Sequence, residues 1–162
     1  MWAVPGMKGF EHRIGGLEKA DLTGHVNYDA DNHHHMVELR QKKVDIIQDF
    51  IPKATPFGDD SGELLVIGWG GTYGSIRSAV IKARGSNLSV SHLHLRHINP
   101  FPKNLKEVLD KFDKVLIPEL NLGQLSYMIR SQFLVDCIGL NKVAGRSFIY
   151  SEILEKINEI IN

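Results

Sequence analysis

Residues 68–75, Gly68-Trp69-Gly70-Gly71-Thr72-Tyr73-Gly74-Ser75, are the first place where residue type and spacing could do chemistry. Glycines between a strand and a helix let a ligand or another backbone come close, and a helix N-terminus attracts anions. A dinucleotide fingerprint needs the spacing G-x-G-x-x-G. Counting from Gly68, Tyr73 stands where the third glycine belongs, and Gly74 falls one residue late. A Walker lysine is absent, and the second strand ends near Arg96 rather than on an acidic residue that could hold a ribose. The turn therefore reads either as a tight strand-to-helix junction packed against a neighbouring domain or as a small-ligand loop.

Histidines form two further sets. His92 and His94 lie two apart in a strand and so share a face, with His97 just beyond. Zinc usually takes three or four converging ligands, and no clear fourth is near, so an interface or hydrogen-bonded pair is the alternative. His33, His34 and His35 sit at the start of a helix, where successive positions splay by about 100° and do not converge. They read as a solvated end. Cys137, flanked by Leu134, Val135 and Ile138, reads as a buried thiol rather than a nucleophile.

These groups need elements to position them. From residue 63 onward, apolar strand-length runs alternate with helical periodicity. Residues 63–69 hold the run Leu64, Leu65, Val66, Ile67, and residues 73–84 place Ile76, Ala79, Val80 and Ala83 at helical spacing. Residues 88–95 form a second strand, 104–112 a helix with Asn104 and Glu107 resembling a capping box, and 114–118 a third strand. Residues 122–135 predict a helix and 138–143 a weaker strand. Ser151 is placed to cap a last helix carrying Ile153, Leu154 and Ile157. The predicted fold is a three-layer α/β/α sandwich around a mainly parallel sheet. In such a sheet the loops after each strand share the carboxyl edge, where ligands usually bind. That edge gathers Trp69, Gly70, Gly71, Thr72, Tyr73 and Gly74, then Arg96, His97 and Asn99, then Glu119, Asn121 and Gln124. It is either a ligand rim or a polar docking surface, with Arg96 and Glu119 as a candidate salt bridge. No nucleophile–base pair is evident.

Residues 1–62 differ. They show no convincing strand and one helix over 34–50, striped by Met36, Leu39, Lys43, Val44 and Ile47 and capped by Asp31 or Asn32. Residues 52–62 read as a linker. Some thirty residues without structure before any helix imply a chain that begins inside a larger protein, with residues 1–31 mobile or ordered by a second copy. The expected division is an inter-domain segment over 1–62 and an α/β domain over 63–162.

Bulk composition excludes several classes. Lys+Arg and Asp+Glu are both 19, a balance that argues against a nucleic-acid binder. No apolar run reaches the roughly 20 residues of a membrane span, and the N-terminus lacks the pattern of a signal peptide, so the expected compartment is the cytoplasm. One cysteine allows neither an internal disulfide nor an iron–sulfur cluster held by this chain alone.

Four strings carry a resemblance. Residues 15–21 (GGLEKAD) with Gly24 and Asn27-Tyr28-Asp29, residues 68–74 (GWGGTYG), residues 94–102 (HLRHINPFP) and residues 118–125 (PELNLGQL) together resemble α subunits of 2-oxoacid:ferredoxin oxidoreductases. Gly71 stands where that family usually has serine. The resemblance implies a transketolase C-terminal-like domain over 63–162. The wording of residues 12–18 and 95–102 implies the 2-oxoglutarate class. Such enzymes oxidatively decarboxylate a 2-oxoacid onto coenzyme A, using thiamine diphosphate, Mg²⁺ and iron–sulfur clusters. Partners implied are an upstream pyrimidine-binding domain, the β subunit and, through the complex, ferredoxin; a homodimer stays open. The family's substrate-contacting motif lies in the upstream domain, so no catalytic, cofactor or metal residue transfers to this chain, which is expected to be inactive alone. The alternative is a small nucleotide- or coenzyme-binding module built on residues 68–74.

Overall fold

The computed structural model describes residues 3–12 and 14–162. Met1, Trp2 and Arg13, the last within the resemblance string 12–18, lie outside the described residues. The chain forms two compact units, Met1–Ile47 and Gln48–Asn162.

In the first unit a turn is closed by a bridge between Lys19 and Val26, with Ala20 N donating to His25 O at 2.8 Å and Gly24 N to Ala20 O at 3.1 Å. Helix α1, Ala30–Ile47, follows. Its cap is Asp29, not Asp31 or Asn32: the Asp29 carboxylate accepts from the amides of both, at 2.9 and 3.0 Å. The expected apolar stripe does not become a buried face, since no residue of α1 is buried. Polar contacts join the turn to the helix instead. Glu18 accepts from Arg40 at 3.0 Å and pairs with His33 at 2.7 Å, and Asp21 pairs with His35 at 3.0 Å. Arg40, then His33, holds the Glu18 carboxyl well below its usual range, at about 2.

The second unit is the expected sandwich. Strands β1 (Gly62–Trp69), β2 (Val90–Leu95), β3 (Phe112–Glu119) and β4 (Ile138–Asn141) form one sheet in the order β2-β1-β3-β4. Every pairing within it is parallel, with Leu64 opposite Val90 and Leu116 opposite Ile138 among the partners. Helices α2 (Tyr73–Gly85) and α5 (Tyr150–Ile161) cover one face, over Leu64, Val66 and Leu116. The short α3 (Leu105–Leu109) and α4 (Gln124–Phe133) cover the other, over Leu65, Ile67 and Ile117. Burial on both faces explains the unbroken apolar runs: Leu64 through Ile67 are 0% exposed.

Several boundaries shift for identifiable reasons. The helix predicted over 104–112 stops at Leu109, because Phe112 opens β3. Asn104 stands at the N-cap position of α3, as expected, but its side chain makes no capping hydrogen bond. Its amide accepts from Ala54 N at 2.8 Å and donates to Ala54 O at 2.9 Å. Ser151 does not cap α5; Glu152 reaches back to accept from Ile149 N at 2.9 Å. Residues 52–62 are no free linker either. Ala54 is buried, and Phe57 exchanges two backbone hydrogen bonds with His92 on the outer edge of β2.

Candidate functional site

The strand order places a topological switch between β1 and β3. From β1 the chain moves outward to β2, then returns to the other side of β1. Loops leaving β1 and β3 therefore diverge, and the gap between them is the usual ligand or docking crevice of such sheets. Here it is an open cleft of about 340 Å³ lined by Trp69, Gly70, Gly71, Thr72, Leu120, Asn121 and Gln124. Half of the residues expected at the rim, Trp69 to Thr72 with Asn121 and Gln124, line it; Tyr73, Gly74, Arg96, His97, Asn99 and Glu119 do not.

Each wall has a local cause. On the β1 side, a single 3₁₀ turn over Gly70–Thr72 leads into α2. The Thr72 hydroxyl ties it down, accepting from Trp69 N at 3.2 Å and donating to Trp69 O at 2.9 Å. Gly68 is required by packing: a Cβ there would collide with Ile76 Cδ1 and lie 2.8 Å from Thr72 Oγ1. Gly70 has φ of +56°, in the glycine-favouring region. Gly71 and Gly74 answer to neither cause. A Cβ on either would meet nothing within 4 Å, and neither has a positive φ.

On the β3 side, Glu119 corrects the expectation. It is 0% exposed and contributes nothing to the rim surface. Its carboxylate turns inward and accepts from Leu125 N at 2.8 Å, Ser126 N at 3.0 Å and Ser126 Oγ at 2.9 Å. Among the described residues it forms no salt bridge with Arg96. Asn121 Oδ1 accepts from the amides of Gly123 at 2.7 Å and Gln124 at 2.9 Å. The first turn of α4 is thus occupied by the chain's own acceptors, leaving no free anion site there. Leu120 and Leu122, absent from the predicted rim, stand in this loop 38% and 80% exposed. An apolar residue between Asn121 and Gly123 was the available sequence signal.

The histidine pair lies under the start of α2. His92 and His94 share a face, as predicted, with Tyr73 at 5.5 and 5.0 Å between ring centroids. Tyr73 Oη accepts from Arg77 Nη2 at 3.1 Å, and the Arg77 guanidinium stacks on Phe57 at 3.6 Å. Phe57 and Arg77 were not anticipated, although Arg77 lies one helical turn after Tyr73. His92 is buried, and neither ring nitrogen has a hydrogen-bond partner. That departs from the expected hydrogen-bonded pair. Burial first, then Arg77 and His94, holds its pKa down at about 3. His97, exposed beyond β2, makes no ring contact with them among the described residues, although it lines a cleft with His94. Asn99 is also exposed, and its peptide bond to Pro100 is cis. Among the described residues no three His, Cys, Asp or Glu side chains are grouped to hold a metal ion. His33, His34 and His35 pair with Glu18, Glu38 and Asp21 respectively and do not converge. The Cys137 thiol is pushed up to about 11 by burial and then by Asp136, the opposite of an activated nucleophile.

Residues 62–153 match the family model for pyruvate:ferredoxin oxidoreductase core domain II. The 2-oxoglutarate oxidoreductase subunit KorA of Mycobacterium tuberculosis is 50% identical over 155 residues, covering 94% of this chain and 23% of the relative. The α subunit of 2-oxoacid:ferredoxin oxidoreductase 1 of Aeropyrum pernix is 31% identical, over 89% of this chain and 24% of its own. The chain therefore spans about a quarter of the length of these curated relatives. Among solved structures, the 2-oxoglutarate:ferredoxin oxidoreductase of Magnetococcus marinus, with 2-oxoglutarate, coenzyme A and succinyl-CoA bound, superposes with a TM-score of 0.90. It is 29% identical, over 99% of this chain and 28% of that one. A split-gene transketolase shares the fold, with a TM-score of 0.52 at 11% identity over 67% of this chain and 41% of its own. A parallel β2-β1-β3-β4 sheet with a glycine-bearing switch point, matched along most of its length to these proteins, makes this chain a member of the pyruvate:ferredoxin oxidoreductase core domain II family, in the form carried by α subunits of 2-oxoacid:ferredoxin oxidoreductases.

Proposed function

We propose that the chain is the non-catalytic C-terminal assembly domain of the α subunit of a cytoplasmic, thiamine diphosphate-dependent 2-oxoglutarate:ferredoxin oxidoreductase. In this reading the rim of the sheet docks on an upstream pyrimidine-binding domain and on the β subunit. The observation that carries the proposal is Gly74. Glycine costs about 0.5–1 kcal/mol relative to alanine in the middle of a helix, and part of that in the first turn, where Gly74 stands. Neither backbone angle nor packing within the chain requires it here. A cost with no internal return points to an external backbone approaching the first turn of α2. Exposed Tyr73, next to it in sequence, and exposed Leu120 and Leu122 in the loop after β3 supply apolar contact on the same edge of the sheet, and Arg96, His97, Asn99 and Gln124 polar contact.

The donors in this chain do not fit an iron–sulfur cluster or a resident Mg²⁺. A cluster needs about four thiolates, and the chain has one cysteine, its thiol pKa raised. No carboxylate group suited to Mg²⁺ is gathered among the described residues. Thiamine diphosphate, Mg²⁺, clusters and coenzyme A belong, in this reading, to the rest of the complex. A nucleotide site on residues 68–74 draws nothing from Gly68, which serves packing, and the spacing to Gly74 departs from the dinucleotide fingerprint.

Co-expression with the remaining α-subunit domains and the β subunit tests the proposal. The complex should reduce ferredoxin with 2-oxoglutarate and coenzyme A, and Leu122→Asp should weaken assembly. Turnover by the chain alone, or assembly indifferent to Leu122→Asp and Gly74→Leu together, would end this reading.

A further inference from the structure

A second cleft lies at the carboxyl end of β2, apart from the switch-point crevice. It encloses about 220 Å³, with Lys53 and Thr55 in one wall and His94, Arg96 and His97 in the other, and no carboxylate lines it. Lys53 and Arg96 are exposed, and among the described residues neither makes an ion pair. The nearby Lys103 is by contrast matched by Asp49. The Thr55 hydroxyl has only a long 3.5 Å contact to Lys53 O. Both walls are fixed. The two-way amide contact of Asn104 with Ala54 anchors residues 52–55 to the loop after β2. Two backbone hydrogen bonds between Phe57 and His92 hold the following residues to the strand itself.

We propose that this cleft is an oxyanion site, taking a phosphoryl or carboxylate group between Lys53 and Arg96 with the Thr55 hydroxyl and the His97 ring as further donors. Two cations that line one cleft without an ion pair repel one another, and an anion between them removes that cost. Arginine adds a planar fork that matches both oxyanion classes. The field is already felt inside the cleft. The pKa of His94 is lowered by burial first and then by Arg96 and Arg77. The inference shares Arg96 and His97 with the polar surround of the docking reading but rests equally on Lys53 and Thr55, which that reading does not use, so loss of binding in Lys53→Gln with assembly intact separates the two.

The test is a titration of the ¹⁵N-labelled full chain with pyrophosphate, with succinate, and with NaCl at matched ionic strength. The expected result is saturable shifts in the amides of residues 53–55 and 94–97, with a rise in the His94 pKa. Saturation by pyrophosphate alone assigns phosphoryl groups, and saturation by succinate assigns carboxylates. Arg96→Gln and Lys53→Gln should each weaken binding about tenfold, the loss of one charge-assisted hydrogen bond. Lys111→Gln, outside the cleft, should leave it unchanged. Shifts reproduced by NaCl, or untouched by Arg96→Gln in a chain whose other resonances are unmoved, would overturn the proposal.

Discussion

Glu119 and Ser126 are joined twice: the buried carboxylate at the end of β3 accepts from the Ser126 amide at 3.0 Å and from its hydroxyl at 2.9 Å. With the Leu125 amide at 2.8 Å, this locks the start of α4 to the last residue of the strand before it. The same contact fixes one wall of the switch-point crevice and removes a carboxylate from its surface. A residue that looked like part of a recognition rim is thus a support beneath it.

Glu119→Ala should be among the most damaging single changes in the second unit. It leaves two α4 amides and a hydroxyl without their acceptor, costing on the order of 3 kcal/mol. Urea denaturation of the purified chain measures this. Glu119→Gln, which keeps one acceptor oxygen, should lose less. A loss below 1 kcal/mol for the alanine variant would show that the α4 cap matters little.

His92 predicts acid sensitivity. Its pKa in the folded chain is held to about 3, against an ordinary value of 6.5. A histidine with a depressed folded pKa leaves stability intact above the ordinary value. As pH falls from there toward 3, the unfolded chain takes up a proton that the folded chain refuses, and stability drops. His92→Leu should flatten the melting temperature between pH 6.5 and pH 4. At neutral pH it should also stabilise by about 1 kcal/mol, because it removes buried nitrogens without partners. An unchanged acid slope in the variant would place the proton elsewhere.

Gly68 and Gly74 should respond in opposite directions. Gly68→Ala forces a methyl group against Ile76 and Thr72, and should destabilise by about 1–3 kcal/mol. Gly74→Ala meets open space, so it should stabilise the chain, by less than the roughly 0.5–1 kcal/mol of a mid-helix site, while weakening association with the remaining α-subunit domains. Thermal melts and a pull-down read the two effects separately. Destabilisation by Gly74→Ala would remove the observation on which the docking reading rests.

Cys137 should react sluggishly. With its thiol pKa pushed up to about 11, labelling by a disulfide reagent at pH 8 should run well below the rate of free cysteine. Labelling as fast as free thiol would show that Val135 and its neighbours do not shield the sulfur.

The layered fold was legible in the sequence because burial on both faces of a parallel sheet leaves a signature that needs no tertiary knowledge. Runs such as Leu64–Leu65–Val66–Ile67 and the helical spacing of Ile76, Ala79, Val80 and Ala83 are written along the chain. The carboxyl edge followed from that order, since parallel strands deliver their exit loops to one side. Side-chain direction at the ends of elements was not legible. Whether Glu119 turns outward to Arg96 or inward to α4, whether Asn104 caps a helix or clasps Ala54, and whether residues 52–62 hang free or pair with β2 are all choices between near-equal local hydrogen bonds. Contacts across 50 residues, as between Ala54 and Asn104, decide them, and local periodicity carries no trace of such contacts. In the same way, His92 and His94 are two apart in the sequence, but only the tertiary structure shows that His92 is buried while His94 borders a cleft walled by residues 52–55.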